Sequence, residues 1–74
     1  MKTEKADGRA YAGFGGRVYK VARAGKAGLW WAVGKRRGLR DAFLDKLGPR
    51  GDPAEMQRAL DATASRLGWR EVTA

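Results

Sequence analysis

The sequence predicts an α+β fold class, a small antiparallel β-sheet packed on a C-terminal amphipathic helix, from three observations. Two runs of β-branched and aromatic residues flank a short glycine-bearing stretch between positions 17 and 33, the pattern of a hairpin. Asp52-Pro53-Ala54-Glu55 opens an apolar stripe of helical period that ends at Gly68. The chain has 74 residues and no Cys. Scaling of surface with mass lets a chain of this size bury only about 62% of its unfolded surface, enough for one thin core.

Residues 1–16 are expected to form a flexible, basic and glycine-rich arm, with Tyr11 and Phe14 tucked against a single small domain spanning 17–74. Gly13-Phe14-Gly15-Gly16 is too rich in glycine for a helix or a central strand. Its G-x-G-G pattern lacks the preceding strand and the glycine spacing of a nucleotide-binding loop.

Arg17-Val18-Tyr19-Lys20-Val21-Ala22-Arg23 is the first strand of the hairpin 17–33. Ala24 to Gly28 is its turn, and Leu29-Trp30-Trp31-Ala32-Val33 is the second strand, ended by Gly34. Side chains alternate across a strand, so Leu29, Trp31 and Val33 share one face, the expected core face. Trp30 and Ala32 share the other, which is expected to carry Lys20 as well.

Leu39, Ala42, Phe43 and Leu47 fall on one helical face, and the stretch 39–47 contains no β-branched residue. A short helix 39–47 is expected there, stopped by Gly48-Pro49, with a third strand as the alternative. The main helix spans 53–67. Asp52 is its N-cap, Pro53 its first residue, and Gly68 stands where a left-handed C-cap belongs, letting Trp69 fold back on the last turn. Met56, Ala59, Leu60, Thr63, Ala64 and Leu67 make its apolar stripe. Glu55, Arg58, Asp61, Ser65 and Arg66 make a nearly neutral exposed face, so this helix is expected to support the fold rather than read a groove. Residues 70–73 form a candidate edge strand.

The charge is unevenly distributed. Sixteen Lys and Arg stand against eight Asp and Glu, a formal charge of +8. Residues 1–40 hold eleven basic residues against Glu4 and Asp7, a balance of +9, and residues 41–74 balance at −1. A concentrated positive field attracts polyanions and speeds their encounter. Catalysis is not expected. Without His or Cys the chain has no Ser-His-Asp triad, Cys-His pair or Cys/His zinc site, and Asp52 and Glu55 are accounted for by capping. No cofactor and no metal are expected. No run approaches the ~18 apolar residues of a membrane span, and Met1 to Asp7 lacks the apolar core of a signal peptide, so a cytoplasmic protein without a membrane partner is expected.

The candidate binding residues are Arg17, Lys20, Arg23, Lys26, Trp30, Lys35, Arg36, Arg37 and Arg40. Lys35-Arg36-Arg37 with Arg40 is the densest basic cluster, and its bounding glycines let backbone approach a phosphate that guanidinium groups can grip at two points. An indole beside cations on an open sheet suits base stacking, a role expected of Trp30. Nucleic acid, DNA or RNA, is the first expected partner. The alternative is an acidic surface of a host protein or complex, bound by a phage or mobile-element accessory or inhibitor protein. The thin core also suits a homo-oligomer or a subunit of a larger assembly.

Gly28 through Val33, then Lys46-Leu47-Gly48, then Asp52-Pro53-Ala54-Glu55 through Ala64 resembles the DNA-binding domains of the AP2 and integrase arm types. The resemblance implies a three-stranded antiparallel sheet on one helix, laid in the major groove with Arg, Lys and Trp as readers. The stretch 39–47 stands where those families carry their third strand. The helix ending at Gly68-Trp69 with a trailing Glu71-Val72 also resembles small phage and prophage proteins of unassigned role.

Overall fold

β-branched and aromatic residues build the two longest strands, β2 (Val18–Ala24) and β3 (Leu29–Lys35), joined across the turn Gly25–Gly28. The structure, a computed structural model, describes residues 8–72. Three short strands complete an antiparallel sheet in the order β4-β3-β2-β1-β5: β1 (Ala10–Ala12), β4 (Ala42–Phe43) and β5 (Arg70–Val72). The single helix, α1 (Pro53–Leu67), packs across β2 and β3 on one face of this sheet. The α+β class is therefore the observed one. Among the described residues no helix is long and apolar enough to cross a membrane.

The helix begins and ends where its caps require. The Ala54 amide donates to Asp52 Oδ1 at 3.1 Å, and Gly68 closes the helix at φ 74°. The Trp69 amide then donates to the Ala64 carbonyl at 2.8 Å, which turns the indole onto the ring of Tyr19, with centroids 4.9 Å apart and an interplanar angle of 22°. Met56, Leu60 and Ala64 face Tyr11, Tyr19, Trp30 and Ala32 to form the core.

Several expectations are corrected. Residues 10–12 of the expected arm form β1, held between β2 and β5 with Tyr11 opposite both Tyr19 and Glu71; the arm's residues 1–7, and position 73 of the expected edge strand, lie outside the described residues. The expected helix 39–47 is absent. Ala42 and Phe43 pair with Gly34 and Val33, and the Leu44 amide donates to the Ala32 carbonyl at 3.0 Å. A 3-10 turn at Asp45–Leu47 follows. A nine-residue helix is marginal by itself, whereas an extended segment satisfies the outward backbone groups of β3. Further along, Arg50 exchanges backbone bonds of 2.8 and 3.0 Å with Trp30 and occupies the rest of that edge.

The third correction concerns the faces of β3. Trp30 is 4% exposed in the core, and Trp31 lies half-buried on the opposite face of the sheet. Ala24 pairs with Leu29, so Lys20 pairs with Val33 and shares a face with Trp31. The strand runs on through Gly34, because the ring of Tyr19 lies over that glycine's missing side chain.

Asp61, expected on the exposed helix face, is also drawn inward. It accepts hydrogen bonds from Tyr11 Oη at 2.6 Å, Arg9 Nη2 at 2.6 Å and Gln57 Nε2 at 2.9 Å. Burial pushes the Asp61 carboxyl up, but these three donors outweigh it and hold the group below its ordinary 3.8. Burial and the bond to Asp61 push the Tyr11 phenol above its ordinary 10.0. A lowered folded value makes the Asp61 contribution complete above 3.8 and lost as pH falls through that folded value; a raised one makes the Tyr11 contribution complete below 10.0 and lost as pH rises through its own. Melting temperature is expected to fall on the acid side below about pH 4, and Asp61→Asn, which does not titrate, is expected to flatten that acid limb. Thermal melts of both proteins across the acid range check this.

Candidate nucleic-acid interface

The sheet has one face under α1 and one open face. Alternation and register put Ala10, Ala12, Val18, Lys20, Ala22, Ala24, Leu29, Trp31, Val33, Lys35, Phe43, Arg70 and Val72 on the open side. The strands contribute no carboxylate to it. Arg70, Ala12, Val18 and Lys35 are successive cross-strand neighbours, so Arg70 and Lys35 stand about 14 Å apart along one end of the face at ordinary strand spacing. Lys20 lies one step inward, paired with Val33. Trp31 follows, its ring meeting Phe43 edge to face with centroids 5.2 Å apart. Small alanines elsewhere keep the surface flat, and Trp31 with the partly exposed Phe43 supplies its aromatic relief.

The loop after β3 gathers the arginines. Arg36 Nη1 donates to the Gly15 carbonyl at 2.9 Å, and Arg17 Nη2 donates to the Arg40 carbonyl at 3.0 Å. Both bonds end on neutral carbonyls, so they position guanidinium groups without cancelling their charge. Arg37 sits at the exposed turn closed by the bond from the Leu39 amide to the Arg36 carbonyl. The nearby carboxylate is Asp41, 3.9 Å from Lys35. Arg17, Arg36, Arg37 and Arg40 thus gather at the end of the sheet that carries Lys35.

Not all nine candidate residues meet there. Lys20 and Lys35 are on the open face, and the four arginines gather at its Lys35 end, the Nε of Arg17 being buried. Lys26 is at the opposite end, in the hairpin turn. Arg23 lies on the helix side, its guanidinium 5.1 Å from the centroid of the Trp30 ring. Trp30 is in the core and unavailable for stacking. Trp31, Phe43 and Arg70 were the residues that sequence reasoning missed. The four-residue turn was the available signal for Trp31, because it sets which side chains Lys20 accompanies.

Toward the helix, a groove of about 500 Å³ runs between Phe14, Phe43, Leu44, Leu47, Thr63 and Leu67, with Asp45, Lys46 and Arg66 in its walls. Among the described residues no three metal-ligating side chains cluster. Comparison with family models, curated proteins and solved structures finds no match for the chain.

Proposed function

We propose that this chain is a small basic nucleic-acid-binding domain, non-catalytic, that lays a single strand across the open face of its sheet. The observation that carries the reading is Trp31 beside Lys20 on a face free of strand carboxylates, with Lys35 and Arg70 at one end. Every base offers a π-face to an indole, and the cations track the phosphates. Width argues against insertion in a duplex. Five strands span about 19 Å at ordinary spacing, whereas the major groove is about 12 Å wide. A single strand can instead drape over the whole face, its backbone running toward Arg36, Arg37 and Arg40.

Fluorescence anisotropy with labelled single-stranded oligonucleotides tests this. Trp31→Ala is expected to weaken binding by about 1–3 kcal/mol without changing its salt dependence, because stacking releases no counterions. Replacing Lys20 and Lys35 by Ala is expected to reduce the slope of log K against log salt by about 1.4, at about 0.7 per phosphate contact on single strands. No binding of DNA or RNA up to about 100 μM at low salt overturns the reading. A second reading, docking on an acidic protein surface, draws on the apolar groove, where Lys46 and Arg66 outnumber Asp45 in the walls; it takes precedence if no oligonucleotide binds.

A further inference from the structure

We infer that a recess beside Trp31 selects a guanine base through the carboxylate of Asp45, an inference that rests on the single-strand reading. The recess, about 420 Å³, opens between Ala24, Gly25, Trp31, Phe43 and Asp45. Two aromatic rings and two small residues make an apolar slot, and Asp45 is its one charged wall. Asp45 is exposed and, among the described residues, has no ion-pair partner. A carboxylate there opposes the rest of the surface, since it repels the phosphates that Lys20, Lys35 and Arg70 attract. A ligand offering donors to it offsets that repulsion.

An ionised carboxylate only accepts, and it does so through two oxygens side by side. Guanine presents two adjacent N–H donors on one edge, at N1 and N2, which match those oxygens as a bidentate pair. Cytosine and adenine present one exocyclic amine beside an acceptor nitrogen. Thymine and uracil flank their N3–H with two carbonyl oxygens, which the carboxylate repels. Trp31 stacks on any base and sets affinity; Asp45 sets the choice, partly by rejecting the wrong edges.

The test uses the full chain and labelled oligothymidine of about 12 nucleotides, alone or with one central thymidine replaced by guanosine, inosine, cytidine or adenosine, all as deoxynucleotides. The guanosine oligomer is expected to bind about tenfold tighter than oligothymidine. Inosine, which lacks the 2-amino group, is expected to retain only about threefold of that preference, as one of the two bonds is gone. Asp45→Asn is expected to lower affinity for the guanosine oligomer and raise it for oligothymidine, a crossing that a damaged fold would not produce. Equal binding of all oligomers, with Trp31→Ala still weakening each, overturns the selective recess and leaves the single-strand reading standing. So does an Asp45→Asn protein that loses affinity for every oligomer alike. Failure of every oligomer to bind overturns both.

Discussion

Trp30→Ala is expected to cost about 3–5 kcal/mol of folding stability, a large share of what a domain this small possesses. The indole is 4% exposed and belongs to the cluster of Tyr11, Tyr19, Ala32, Met56, Leu60 and Ala64. The Arg23 guanidinium lies over its ring, and its backbone holds Arg50 just ahead of the helix. Removing the ring leaves a cavity that thin layers on either side cannot fill. Trp31→Ala, on the open face, is expected to keep a cooperative unfolding transition while losing nucleic-acid affinity. Urea denaturation followed by circular dichroism measures both. The opposite ranking, with Trp31→Ala the more damaging to folding, would mean that β3 presents its other face to the helix.

Gly34→Ala ranks next, at about 3 kcal/mol, the upper end of the cost of overfilling a packed site. An added Cβ would run into the Tyr19 ring at three of its carbons. That ring has nowhere to go: Trp69 stacks on it, and Phe14 meets it edge-on with centroids 6.4 Å apart. The loss is one of space, not of backbone conformation, since Gly34 lies in an ordinary strand. Shortening the partner tests the cause. Tyr19→Leu combined with Gly34→Ala is expected to destabilise by less than the two single changes added together. An unchanged melting temperature in Gly34→Ala would remove the ring from over the glycine.

The candidate site was partly legible in the chain. Lys20, Lys35 and the arginine-rich loop were visible as a concentration of charge, and the hairpin as two apolar runs around glycines. Which indole faces outward was not visible from composition. Leu29, Trp31 and Val33 form the more apolar side of β3, yet the helix shares a core with Trp30 and Ala32, and Tyr19 covers Gly34. Small residues there let Tyr19, Met56 and Leu60 come close, so the available volume selects the inner face and hydropathy alone misleads. The outward apolar residues are shielded in part by each other, with Val33 2% exposed beside Trp31 and Phe43. Arg70 could not be assigned to the surface, because its strand pairs with β1, a segment too short and glycine-flanked to read as a strand.

By itself the sequence determined what depends on neighbours along the chain: the helix over 53–67 with its Asp52 and Gly68 caps, the hairpin, the positive first half and the lack of His and Cys. Those features follow from local hydrogen bonding, turn geometry and counts, which need no distant partner. Tertiary structure decided the rest. It drew 10–12 into the sheet, replaced the helix expected over 39–47 with the two-residue edge strand Ala42–Phe43 and a 3-10 turn, pulled Asp61 onto Arg9 and Tyr11, and put Trp31 instead of Trp30 beside Lys20. In each case backbone groups or side-chain volumes far apart in sequence had to be satisfied together, and that requirement outweighs the weak preference of any short segment.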